Sequence, residues 1–376
     1  MRRRQLFNEY WRSIPSNSVR QITTKRVTMK LIKRLVIGLM LFLLVALPVA
    51  YFQFQRAGGT DGLIQKSVKR LASTNRNDLF EDGRMHVFTL GTGTPQLGTG
   101  RMPAANAVIA GEEFIVIDTG EGASRTMGAL HLPIQRVKTI LITHWHSDHF
   151  AGLGQVLNQS WNADRNHDIA IYGPEGVEGV VSGLARQYEK DIGFRSGGHV
   201  EHNKPEFALG TAHTLNPDPN ENLVTVFERN GVKVSVFNVD HGHVKPAFGY
   251  RIDYKGKSVV FSGDTIATPR MVPAAMNVDL LIHEAMNMRV MSNAVIALRD
   301  LGNQVESDRA QAVMSYHADT IELAKIAAQA KVGKLVLTHV IPAPANGIIA
   351  RFIVSGMDEH YAGPIVIAED GMEFTL

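Results

Sequence analysis

Residues 85–376 read as one mixed α/β domain behind an N-terminal apolar helix of membrane-spanning length. Three observations predict this. From Met85 onward, strand-like and helix-like runs alternate. His144, Asp264, His283 and His339 each fall just past the C-terminal end of a strand-like run, where layered α/β folds assemble their sites. Residues 35–52, LVIGLMLFLLVALPVAYF, form an unbroken apolar run of 18.

The basic leader comes first. Residues 1–34 hold ten Lys or Arg and one acid, Glu9, a charge of +9. The whole chain carries +3, so residues 35–376 carry −6. A mildly acidic body exerts no broad attraction on a polyanion. A helix over residues 35–52 would cover about 27 Å, enough for a signal anchor or transmembrane helix. Its basic flank sets the N-terminus in the cytoplasm and the body outside. In a Gram-negative cell the domain would be anchored at the inner membrane and face the periplasm. A cleaved signal peptide, starting at Met29, would instead release it into the periplasm; Pro48 and Ala50 make a poor cleavage site. Residues 53–84 read as a linker with a short amphipathic helix near Leu63–Leu71.

In the body, strand-like runs are His86–Leu90, Phe114–Asp118, Thr139–Thr143, Ile169–Tyr172, Val232–Val239, Phe248–Tyr254, Ser258–Phe261, Leu280–His283, Lys334–Thr338 and Ile365–Ala368. Helix-like runs are Gly154–Gln159, Val177–Lys190 and Thr320–Lys331, the last with Asp319 as its cap. The chain has no cysteine, so any metal site must be built from His and carboxylates.

The stretch THWHSDH, residues 143–149, answers that requirement. His144 and His146 flank Trp145 in an extended turn, so both rings can point the same way. Asp148 and His149 follow within one more turn. Four donors from six residues exceed what one tetrahedral ion takes from a single loop, which suggests two adjacent metals.

THWHSDH resembles the signature of the metallo-β-lactamase superfamily. Asp118-Thr119-Gly120, then VDHGHVKPAFGYRIDY, SGDT, LLIHEA, YHAD and LVLTH, are similar to its later elements in order. Their form is most similar to the arylsulfatase and ribonuclease Z-like branch. The resemblance implies an αβ/βα four-layer sandwich over residues 85–376. It implies that His144 and His146 bind one metal with a histidine of DHGH. His241 is the first choice there and His243 the alternative. Asp148 and His149 would bind the second metal with His339, and Asp264 would bridge the two. Two divalent ions are implied, zinc first, with manganese or iron as alternatives. The nucleophile would be metal-bound hydroxide. His317 would protonate the leaving oxygen with Glu284 holding it, and Asp148 is a further candidate catalytic group. A capping surface histidine is the plainer reading of His317. His283 is read as structural, and His199 and His202 as loop residues. GTGTP, residues 91–95, lacks the Walker lysine and is read as a turn beside the site.

These residues predict a binuclear metallo-hydrolase of an ester bond, phosphodiester or aryl sulfate first, acting on a small molecule. A lactonase or β-lactamase-like hydrolase is an alternative. A tRNA 3′-processing endoribonuclease is another, disfavoured with nucleic acid generally by the export signal and the acidic body. A non-catalytic binding protein is disfavoured because every implied ligand is present. A homodimer is left open.

Overall fold

The computed structural model describes residues 29–72, 74–197 and 203–376. Most of the basic leader, with His199 and His202, lies outside the described residues. The chain divides into two compact units, Met1–Thr74 and Asn75–Leu376.

In the first unit, α1 (Met29–Arg56) is followed by α2 (Gly59–Ala72). Leu35–Arg56 has a mean hydropathy of 2.6 and is long and apolar enough to cross a membrane. Most of its large apolar side chains are exposed. In α2, Leu63, Ile64 and Val68 are each more than half exposed. Most of the stretch read as a linker is therefore helical.

The second unit starts upstream of Met85. A single turn at Asn77–Phe80 buries Leu79 and Phe80 in the domain core. The first sheet is built from β1 (Met85–Gly91), β2 (Ala105–Ala110), β3 (Glu113–Thr119), β4 (Thr139–Leu141), β5 (Ala170–Gly173) and β6 (Thr211–Thr214). The second contains β7 (Val224–Arg229), β8 (Val232–Asn238), β9 (Phe248–Tyr254), β10 (Lys257–Phe261), β11 (Leu280–Met286), β12 (Leu335–Ile341) and β13 (Ile365–Ile367). The last strand, β14 (Met372–Thr375), returns to the first sheet beside β1. The strand orders are β14-β1-β2-β3-β4-β5-β6 and β13-β12-β11-β10-β9-β8-β7.

The helices are α3 (Ala123–Ala129), α4 (Ser147–Phe150), α5 (Leu153–Asn162), α6 (Val177–Ser196), α7 (Met271–Ala274), α8 (Met288–Asp300), α9 (Gln304–Val313), α10 (Thr320–Gln329) and α11 (Gly347–Ile353). Val87, Val108, Ile115, Val234, Tyr250 and Val336 share the core between the sheets. Met127, Val156, Leu157 and Val177 pack helices on the outer face of the first sheet. Met271, Leu323, Ala327 and Ile353 do the same on the second. The result is the helix–sheet–sheet–helix sandwich expected.

Local chemistry explains the elements that place the site. Strand β3, EFIVIDT, is buried on both faces, as a near-continuous apolar run should be. Asp319 caps α10 by accepting N–H bonds from Ile321 and Glu322. Strands β3 to β6 are mutually parallel, and so are β10 to β13. Their C-terminal ends therefore gather at one edge of each sheet.

The strand ends need one correction. His283 and His339 lie within β11 and β12, not beyond them. Glu284 pairs with Thr338, but Ala285 pairs with Val340. His339 is the unpaired residue of a bulge and has φ 46°. Such bulges re-aim a side chain while the strand continues. A turn with φ +60° at Gly263 serves Asp264 similarly. A Cβ at Gly263 would come within 2.6 Å of the Phe248 carbonyl oxygen. Met271, Met286 and Met291 are buried and fill packing space.

Candidate metal centre

Five segments meet at this edge. They are the loop and first turn after β4, the β8–β9 connection, the β10 turn, the β11–β12 bulge, and the residues between α9 and α10. They bring together nine of the residues singled out in the sequence: His144, His146, Asp148, His149, His241, Asp264, Glu284, His317 and His339.

Three donor groups form, each with its ligand atoms within 4.8 Å of one another. The first is His144, His146, His241 and Asp264, and the second is Asp148, His149 and His339; the third, Asp264, His317 and His339, overlaps both. Asp264 Oδ2 lies between the first two. It is 3.8 Å from His144 Nε2 and 3.8 Å from His241 Nε2, and it is 3.3 Å from His149 Nε2 and 3.5 Å from His339 Nε2. Ligands about 2.1 Å from a tetrahedral ion stand roughly 3.4 Å apart, so this spacing suits a cation between the donors. His339 Nε2 is also 3.2 Å from Asp148 Oδ2.

The donor set passes a further test. The Nε2 atom of His144 is buried and has no hydrogen-bond partner. A buried ring nitrogen left this way loses its solvation for nothing unless a ligand meets it. Burial pulls His144 well below the ordinary imidazole range, which keeps a lone pair available. Burial alone would raise Asp264, but the His339 and His149 rings beside it hold the carboxyl well below its usual range.

Outer partners fix the donors. His149 Nδ1 donates to Asp118 Oδ2 at 2.7 Å, so Nε2 faces the centre. Asp118 also accepts from the Thr143 backbone N–H and hydroxyl, each at 2.8 Å. His241 Nδ1 donates to the Tyr316 carbonyl at 3.0 Å. The DHGH ambiguity thus has a geometric answer. His241 is buried in the cluster, whereas His243 is exposed and touches the Tyr316 ring.

His317 and Glu284 form a buried pair. His317 Nδ1 lies 2.9 Å from Glu284 Oε1, which also accepts from the Thr265 and Ala318 N–H groups. Burial acts to lower the imidazole's pKa, but the Glu284 carboxylate outweighs it, and His317 is pushed up to about 9. The capping reading of His317 fails, because Asp319 caps α10 and His317 points into the site. The His317 ring stacks on His339 with centroids 5.4 Å apart. His283 stays outside all three donor groups, with Nδ1 against the Glu284 carbonyl. The Thr92 carbonyl of the GTGTP turn accepts the His339 N–H at 3.0 Å, a structural duty.

The sequence reading missed the work of Asp118, Thr143 and Tyr316. Only the position of Asp118, at the end of a strand parallel to the one that feeds the histidine loop, could have signalled it. Asp118→Asn is expected to weaken metal retention about 10–100-fold while the fold persists. Metal content against a chelator series measures this; unchanged retention would remove Asp118 from the account.

The comparisons agree with this architecture. Residues 114–340 match the model of the β-lactamase superfamily domain. Ribonuclease Z of Mycobacterium bovis (strain BCG / Pasteur 1173P2) is 31% identical over 289 residues, covering 76% of this chain and 96% of the relative. Ribonuclease Z of Mycobacterium avium (strain 104) is 30% identical over the same length and coverage. Among solved structures, human tRNase Z, short form, is similar with TM-score 0.55 and 24% identity, covering 77% of this chain and 98% of that one. The metallo-β-lactamase fold protein YhfI from Bacillus subtilis gives TM-score 0.53 and 18% identity, covering 78% of this chain and 100% of that one. With its donor set of histidines and carboxylates, the chain belongs to the metallo-β-lactamase superfamily, in its ribonuclease Z-like branch, and is a metallo-hydrolase of ester bonds.

Proposed function

We propose that the chain hydrolyses phosphodiesters at a two-metal centre, with an RNA 3′ end as the first substrate to test. The observation that carries the chemistry is Asp264 Oδ2 placed between two donor groups, with His317 alongside. The substrate class rests on the relatives' shared name, Ribonuclease Z. That name favours an RNA diester over the small-molecule ester and the aryl sulfate expected from the sequence.

His144, His146 and His241 would hold one ion, and Asp148, His149 and His339 the other, with Asp264 between. When bound, two divalent cations, zinc by the chemistry of these donors, supply Lewis acidity and draw the pKa of water toward neutrality. Asp118 and the Tyr316 carbonyl keep two imidazoles aimed inward. Asp148 would serve as a donor, its Oδ2 facing His339 and His149. Hydrolysis adds water oxygen to phosphorus and breaks the bond to the leaving oxygen. Glu284 fixes His317 Nδ1, which leaves Nε2 to deliver the proton that oxygen needs.

A second reading, a small phosphodiester, draws on charge. Residues 35–376 carry −6, and α6 holds three basic and three acidic residues, so it offers RNA no basic arm. The test is a panel of precursor tRNA, bis-aryl phosphate and aryl sulfate. Cleavage of tRNA at its 3′ side supports the first reading. Diester turnover without tRNA cleavage supports the second, and sulfate turnover alone contradicts both.

We also propose that α1 anchors the domain in a membrane, with the domain on the side opposite the basic leader. The apolar side chains of α2 beside Lys66 and Lys69 suit the adjoining lipid surface. Because the second unit has its own core, the chain lacking residues 1–74 is expected to leave the membrane fraction with diesterase activity intact. Continued sedimentation with membranes would contradict the anchor.

A further inference from the structure

Tyr316 has a ring that no structural duty explains. Its backbone carbonyl orients His241, a task any residue could perform. The ring stands nearly perpendicular to those of His241 and His243, with centroids 5.2 Å and 5.3 Å away and planes at 83° and 84°. It lies tilted against His317, with centroids 4.9 Å apart. Among the described residues no ring lies parallel to it, and its hydroxyl has no hydrogen-bond partner. The side chain is half-buried.

The neighbouring loop is shaped around this ring. Gly242 has φ +61°, and a Cβ there would come within 3.0 Å of Tyr316 Cβ. The glycine lets the DHGH turn close on the tyrosine, with buried His241 and exposed His243 both against its ring. The ring thus forms a wall from the metal donors out to solvent. It adjoins His317, the residue facing the leaving oxygen under the proposed function.

We propose that Tyr316, with His243 at its rim, is a specificity-determining platform for a planar aromatic ring on the leaving-group side of the ester. This rests on the proposed reaction. The ring could come from a nucleoside or from an aryl ester; both offer a flat π-face to stack, and a puckered aliphatic ring does not.

Calorimetric titration of the metal-replete full chain tests this with two matched pairs of phosphates. Phenyl phosphate is compared with cyclohexyl phosphate, and uridine monophosphate with ribose 5-phosphate. The wild type is expected to bind the aromatic member of at least one pair on the order of ten-fold more tightly. The pair showing the larger ratio identifies the source of the ring. Tyr316→Leu should bring the ratio to about one, Tyr316→Phe should keep it, and metal content should hold in both because the carbonyl remains. A wild type with no aromatic preference, or a ratio unchanged in Tyr316→Leu, overturns the platform. Failure of the proposed reaction reads out separately, as absent diester hydrolysis by a chain that still binds these phosphates.

Discussion

Replacing Asp264 with alanine is expected to remove bound metal and activity together. One oxygen of this buried carboxylate sits 3.3 to 3.8 Å from four imidazole nitrogens drawn from the first two donor groups. Without it, each ion of the proposed centre would lose a donor, and Asp148 would be the one carboxylate left in the donor set to offset two divalent charges. The loss in affinity should exceed the ~10–100-fold that follows removal of a supporting partner. Asp264→Asn should behave similarly, because it keeps the shape and removes the charge. Elemental analysis of folded protein, with circular dichroism as the control, measures the effect. Full metal retention by Asp264→Ala would show that the carboxylate bridges nothing.

The second large effect is expected at His317. His317→Ala should lower kcat by ~10²–10⁴ while metal content stays near the wild-type level. The deficit should depend on the leaving group. An ester that expels a nitrophenolate needs little protonation and should be least affected, whereas one that expels an alkoxide should show the full loss. Glu284→Gln should give a weaker version of the same pattern, since Glu284 reaches the reaction through the His317 ring it holds. Equal deficits across leaving groups would assign His317 to substrate binding or metal retention instead.

The sequence made much of this legible for a physical reason. The HxHxDH run compresses four donors into one turn, and the position of Asp264 just past a strand follows from a hydrophobic run that stops at polar residues. Other features are carried by geometry that has no local sequence mark. The bulge at His339 exists only in the pairing of β11 with β12. Whether His241 or His243 turns inward depends on a carbonyl 75 residues away. Asp118 and His149 meet only because β3 and β4 are adjacent. Helix α9, QVESDRAQAV, was invisible because it has almost no apolar stripe. It is capped by Asn303, and Ser307 bonds the Val295 carbonyl of α8. The start of the second unit at Asn75 escaped notice because Leu79 and Phe80 are two isolated apolar residues in a polar stretch.

The most direct test of the central claim is a metal titration of chelator-stripped protein, followed by hydrolysis of a bis-aryl phosphate. The donor geometry predicts no turnover in the stripped protein and a rate that climbs to a plateau at two divalent ions per chain. Turnover by metal-free protein, or a plateau at one ion that a second leaves unchanged, would contradict a two-metal centre.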